Sequence, residues 1–191
     1  MNVTMTTRIQ RIAQKRQAGV SNIQIMLAIL IGAILLLGGL GLTRWIDKTK
    51  VNNDLAELSE LKARTVTYGS QHGGTFAGFT QEMAIGFDFF PSNRISGAVG
   101  SRVIQNQWKG QITVVPHTIN IANDGLLYTY TGVPSSACKD LAMQAGTIAA
   151  RMAVGVVTVK ASPVAALDED ALIKACDAAS DNASLLYAMT K

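Results

Sequence analysis

Residues 25–42 read Ile25-Met26-Leu27-Ala28-Ile29-Leu30-Ile31-Gly32-Ala33-Ile34-Leu35-Leu36-Leu37-Gly38-Gly39-Leu40-Gly41-Leu42, an apolar run that no charged or amide side chain interrupts. As a helix, a run of this length spans roughly 27 Å, close to the hydrocarbon core of a bilayer. A helix on the surface of a soluble domain keeps a polar face, and this one has none. The glycines at 32, 38, 39 and 41 carry two readings. They are ordinary residues of a membrane helix, or they let neighbouring helices approach closely and the backbone loosen locally.

Toward the N-terminus the run is preceded by Arg8, Arg11, Lys15 and Arg16, with no acid in the first 19 residues. The positive-inside rule keeps that segment in the cytoplasm and sends the rest of the chain outward. It also accounts for the formal charge of +4: four of the 17 basic residues lie there, and beyond residue 19 there are 13 basic and 13 acidic side chains. Nucleic-acid binding requires clustered Lys and Arg, and no such cluster follows Arg16. The two cysteines, Cys138 and Cys176, are too distant for a CxxC motif and too few for a structural zinc site. In an exported chain such a pair reads as one disulfide, and in a cytosolic chain as two buried thiols.

Toward the C-terminus, Thr43 to Tyr68 contains no Pro or Gly. Val51, Leu55, Leu58, Leu61, Thr65 and Tyr68 recur at spacings of three and four and define one helix face. Asp47, Lys48, Asp54, Glu57, Glu60, Lys62 and Arg64 fall at other angles, with Glu60 and Arg64 in the favourable i, i+4 order. The spacing predicts one helix from about residue 21 to about residue 68, near 70 Å long, apolar all round in its first half and amphipathic in its second. Gly69 is the expected stop. Three export readings compete: a cleaved signal peptide with Gly39-Leu40-Gly41 as its weak site, an uncleaved signal anchor, and cleavage before the apolar run. The unbroken continuation through Thr43-Arg44-Trp45-Ile46 favours the last two.

The basic leader, Lys15-Arg16-Gln17-Ala18-Gly19, then Val20-Ser21-Asn22-Ile23-Gln24 and the apolar run resemble the processing site of type IV prepilins. The resemblance implies that a prepilin peptidase cuts between Gly19 and Val20 and methylates the new amine. The 19-residue leader and the non-Phe first residue resemble the type IVb branch. Its members usually carry Glu at the fifth mature position, where this chain has Gln24. The implied docking residues are Gln24, Ile23, Ile25 and Met26. The implied segments are a leader over 1–19, a membrane-spanning and filament-core half-helix over 20–43, an amphipathic half over 44–68, and a globular domain over 69–191.

In that domain Gly69-Ser70-Gln71-His72-Gly73-Gly74 is loop chemistry. A short helical turn is expected over Thr80–Ile85, and strands over Gln111–Val115, Leu126–Thr131 and Val154–Lys160. Asn123-Asp124-Gly125 predicts a hairpin between Thr118–Ala122 and Leu126–Tyr130. Two helices follow. One has Ser135 as N-cap and carries Cys138, Leu141, Ala145 and Ile148. The other starts at Asp168 and carries Leu172, Ala175 and Cys176. The predicted fold class is α+β: a long N-terminal helix, membrane-spanning in its first half, packed on an antiparallel sheet with extra helices. Tyr130-Thr131-Gly132-Val133-Pro134-Ser135-Ser136-Ala137-Cys138 and the late second cysteine resemble PilS-type type IVb pilins. The resemblance implies that Cys138 and Cys176 close a C-terminal disulfide loop exposed on the pilus surface.

His72 and His117 have no Cys or carboxylate partner at ligand or triad spacing. Asp168-Glu169-Asp170 suits a helix N-terminus through the dipole. There is no P-loop, no GxSxG, and no GxGxxG at a strand–helix junction. Phe87-Asp88-Phe89-Phe90 reads as core or subunit packing. No enzymatic activity, cofactor, metal or direct nucleic-acid contact is therefore expected. The expected function is a pilin subunit, drawn from an inner-membrane pool and polymerised into an extracellular pilus for adhesion, aggregation or conjugation. Its expected partners are other copies of itself, prepilin peptidase, the inner-membrane assembly machinery, minor pilins, and membrane lipid before assembly. The alternatives are a minor pilin or pseudopilin, and an uncleaved signal-anchored periplasmic binding protein.

Overall fold

The computed structural model describes residues 22–191, with side chains from residue 46. The leader, the Gly19–Val20 junction, and the side chains of Ile23, Gln24, Ile25, Met26 and the apolar run lie outside the described residues. Two compact units divide between Trp45 and Ile46. Among the described residues no helix is long and apolar enough to cross a membrane.

Helix α1 spans Asn22–Gln71 and so runs past the expected stop at Gly69. That glycine is a packing residue: a Cβ there would lie 3.0 Å from the Phe76 ring. The helix ends where Gly73 supplies a left-handed residue at φ 67°. The Gly74 amide then donates back to the Gly69 carbonyl at 2.6 Å, the long closing bond of a Schellman turn. From Ile46 onward the buried stripe of α1 is Val51, Asp54, Leu58, Leu61 and Thr65, with Leu55 and Tyr68 half-buried. Asp54, placed by the sequence pattern off the apolar face, is on it and fully buried.

A short helix α2, Gln81–Gly86, is capped by the Thr80 hydroxyl, which accepts from the Met83 amide at 3.2 Å. A 3-10 turn over Ser92–Arg94 leads into the sheet. The strands are β1 Ile95–Ser96, β2 Val103–Gln105, β3 Gln111–His117, β4 Gly125–Val133, β5 Arg151–Val154, β6 Val157–Lys160 and β7 Ala183–Thr190. All pairings are antiparallel, in the order β1-β2-β3-β4-β7-β5-β6. Between β4 and β5 lies α3, Ser135–Ala145, and between β6 and β7 lies α4, Glu169–Ala179.

Period-2 alternation sets the faces. Leu126, Tyr128 and Tyr130 of β4 are buried, while Leu127 and Thr129 between them are half-buried. Ile112 and Val114 of β3 and Leu185, Tyr187 and Met189 of β7 join the same core as Leu58 and Leu61 of α1. Thr65 Oγ1 lies 2.8 Å from the Tyr128 hydroxyl, tying helix to sheet with a buried polar contact. Helices α3 and α4 pack on each other and on the strands from β7 to β6. The opposite face holds a small second cluster of Ile119, Ala150 and Ala188 with Leu127 against it.

Besides the short strands β1 and β2, which the sequence pattern did not mark, three strand assignments differ from it. Val154–Lys160 is not one strand but parts of a hairpin, broken by Gly155 at φ 57°. The partner of β4 is β3 rather than Thr118–Ala122. Residues 118–124 form a loop held by the Asp124 carboxylate, which accepts from the amides of Ile119, Asn120 and Ile121 at 2.7, 2.9 and 3.0 Å. Strand β7, which the pattern did not mark, lies inside the sheet and pairs on both sides, with β4 and with β5.

Candidate functional site

Two constructions fix the domain's outward-facing elements to its core. The first joins α3 to α4. Leu141, Ala142 and Ala145 of α3 and Leu172 of α4 are buried, so the apolar stripes face each other. Cys138 and Cys176 lie in those stripes, both wholly buried. They form a disulfide with a Cα–Cα distance of 5.9 Å, within the range that a disulfide bridges without backbone movement. Above it, Lys139 Nζ meets Asp177 Oδ1 at 2.5 Å and the Ser135 hydroxyl donates to the same oxygen at 3.2 Å. The lysine bond holds the Asp177 carboxyl below its ordinary range. Ser135 is thus the first residue of α3, with Pro134 at the cap position, and its hydroxyl reaches the neighbouring helix. Asp168 caps α4 as expected, accepting from the Ala171 amide at 2.9 Å. Lys160 on β6, also buried, donates to the Gly146 and Ala149 carbonyls at 2.6 and 2.9 Å. A cation there suits the carbonyl-rich end of α3.

The second construction joins α1 to the β1–β2 edge, and the sequence pattern gave no hint of it. Arg94, at the end of the 3-10 turn, donates through Nη2 to Asp54 Oδ1 at 2.9 Å and to Glu57 Oε2 at 2.8 Å. Its Nη1 donates to the Gln105 carbonyl of β2 at 3.1 Å. The side chains are 9, 0 and 9% exposed for Arg94, Asp54 and Glu57. Burial pushes the Asp54 carboxyl up to about 6, against the opposing pull of Arg94. Burial pushes Glu57 up to about 7, with the neighbouring Asp54 charge adding to it and Arg94 opposing. The Tyr130 hydroxyl reaches Glu57 Oε1 at 3.5 Å. Burial, then the Glu57 and Asp54 charges, raises Tyr130 well above its ordinary range.

Other polar side chains make contacts within the domain. Arg102 Nε donates to Glu82 Oε2 at 2.8 Å, linking α2 to the start of β2. The His72 ring stacks on Tyr68 at 3.9 Å between centroids, and His117 ends β3 opposite Gly125. Phe89 and Phe90 are buried, whereas Phe87 is exposed beside the Tyr68 ring. Among the described residues no group of three or more His, Cys, Asp or Glu side chains is placed to hold a metal ion.

This arrangement matches a known family. A family model described as PilS N terminal matches residues 48–189, from within α1 to the penultimate residue of β7. The chain belongs to the PilS N-terminal family. The crystal structure of the type IV b pilin from Salmonella typhi is similar to this PilS-family domain with a TM-score of 0.55 and 21% sequence identity. The match covers 73% of this chain and 99% of that one. At that identity the likeness speaks for the fold, an N-terminal helix on an antiparallel sheet with a disulfide. No curated protein matches the chain. The PilS-family assignment accords with the tract from Tyr130 to Cys138. Of the site residues read from the sequence, the disulfide pair is brought together, while Gly19, Val20 and the side chains of the docking residues lie outside the described residues.

Proposed function

We propose that the chain is the precursor of a structural, non-catalytic filament subunit of a type IVb pilus. Cleavage between Gly19 and Val20 by prepilin peptidase leaves the apolar run in the inner membrane as an anchor. Assembly machinery, together with minor pilins, then moves the subunit into an extracellular homopolymer. The observation that carries the reading is a basic segment up to Gly19, followed five residues later by an uninterrupted apolar run in a helix that continues into a PilS-family domain. Leaving that run in place suits packing of many copies, because small and aliphatic side chains allow close helix–helix contact. Such a filament serves adhesion, aggregation or conjugation.

Mass analysis of the mature protein tests this. The N-terminus is expected at Val20, methylated, with Gly19→Leu accumulating full-length precursor in the inner membrane. A mature N-terminus near Leu42 would rule the reading out.

One observation favours a minor pilin or pseudopilin as the second reading, namely Gln24 at the position where the family usually has Glu. After cleavage the Val20 amine is positive and lies near the membrane, where an unpaired charge is costly. A glutamine oxygen can accept its hydrogen bond but cannot neutralise it. In the main reading, docking relies on apolar packing by Ile23, Ile25 and Met26 with Gln24 as acceptor. At equal cleavage, Gln24→Leu is then expected to lower filament yield severalfold and Gln24→Glu to leave it intact or raise it. Normal yield from the Leu variant would remove Gln24 from assembly. Scarcity of the protein in sheared filaments would favour the minor subunit.

A further inference from the structure

Asp54, Glu57 and Arg94 place two carboxylates against one guanidinium in a site almost closed to water. Fully ionised, the group carries one uncompensated negative charge, and burying such a charge is expensive. Among the described residues Arg94 is the cation that pairs with these carboxylates, and Arg64 of α1 pairs with Glu60 instead. The described groups facing it are the hydroxyls of Tyr130 from β4 and Tyr187 from β7, both raised well above the ordinary range first by burial and then by the cluster's carboxylate charge. Asp54 Oδ2 and the Tyr187 hydroxyl are both buried without a hydrogen-bond partner among the described residues. An ionised carboxylate with an unmet oxygen is costlier to bury than a neutral carboxyl. Both carboxyls are accordingly displaced upward.

We propose that the Asp54–Glu57–Arg94 cluster is a proton-operated clamp, which holds α1 against the β1–β2 edge while one proton is shared between its carboxylates and loosens when that proton leaves. The proton has a path to water. Glu57 lines an open groove of about 600 Å³ bordered by Glu60 and Arg64 of α1 and by Asp88 and Pro91 of the following segment. The same Glu57 carboxylate bonds Arg94. Arg94 is the joint of the clamp, since its two terminal nitrogens reach α1 and the β2 backbone. The sign follows from linkage. Carboxyls raised above their unfolded values give stability that is fully present below the ordinary carboxylate range, near pH 4. That stability is lost as pH rises through their folded values, about 6 and about 7.

The test is amide hydrogen exchange by mass spectrometry on the full chain in detergent micelles, at pH 6 and pH 8.5, corrected for intrinsic rates. Protection in the segments 88–96 and 103–105 is expected to fall at least tenfold at pH 8.5, with less than a twofold change in α3 and α4. Glu57→Gln, which keeps the acceptor oxygen and removes the surplus charge, is expected to abolish the pH difference. Asp54→Asn provides the same test if Glu57→Gln does not fold. Uniform or absent pH dependence in the unmodified chain overturns the clamp. So does an unchanged pH difference in a neutral variant, or failure of both variants to fold, which would mean that both charges are required.

Discussion

Arg94→Met is expected to destabilise the domain by about 3–5 kcal/mol at pH 8, the cost of breaking a buried ion pair by removing one partner. The methionine fills much of the space, so the loss is mainly electrostatic. Without the guanidinium, Asp54 and Glu57 remain as two like charges one helical turn apart, buried under β4 and β7. The Gln105 carbonyl also loses its donor. The carboxyls would respond by binding protons, so the deficit should shrink at pH 5. Thermal unfolding of the full chain in detergent measures this as a fall on the order of 10 °C or more at pH 8. A deficit under 1 kcal/mol at pH 8, or one equal at both pH values, would show that the pairing does not hold the edge of the sheet.

Removal of the disulfide is the second large effect. The bond spans a sequence separation of 38 residues, and in the chain-entropy model a loop of that size contributes roughly 4 kcal/mol. The enclosed segment contains the β5–β6 hairpin and the start of α4. Loosening it would release one side of β7 as well as the two helices. The double variant Cys138→Ala, Cys176→Ala avoids a stray thiol. Its denaturation midpoint should fall to that of the reduced parent chain and become insensitive to reductant. An unchanged midpoint in parent protein shown by thiol labelling to be fully reduced would contradict the assignment of stability to this bond. The Lys139–Asp177 pair spans the same two helices, but Asp177 is more than half exposed and an exposed pair contributes little.

What the sequence disclosed depended on how local each signal was. Asp168 and Thr80 were legible as helix starts, because the bond each makes is to an amide three residues ahead. The pairing of Cys138 with Cys176 was within reach because each lies in an apolar helical stripe. Asp54 was available in principle: 51, 54, 58, 61, 65 and 68 form a cleaner three-and-four pattern than one through Leu55. Residue type argued against it, and the partner that makes the burial tolerable is Arg94, 40 positions away. No local pattern announces that pairing. Strand β7 escaped for another reason. Its run Ala-Ser-Leu-Leu-Tyr-Ala-Met-Thr has no β-branched residue before Thr190, and Leu185 beside Leu186 blurs the alternation. The valines at 154, 156, 157 and 159 suggested one strand because they are all β-formers, yet Val156 is 99% exposed at the hairpin tip. There Gly155, rather than the valines, dictates the backbone.

The position of β7 has a consequence for the order of biosynthesis. Residues 183–190 hydrogen-bond to β4 on one side and to β5 on the other. While a ribosome still holds them, β1 to β4 and the β5–β6 hairpin are two half-sheets, each with an unpaired edge and its buried face uncovered by a neighbour. Joining them requires closing the long connection from Val133 to Ala183, a non-local step that is slow to form. The nascent chain must therefore be kept from pairing those edges with other chains. Translation that stops short of residue 183 should yield a product that is degraded or captured by chaperones, rather than a smaller folded domain.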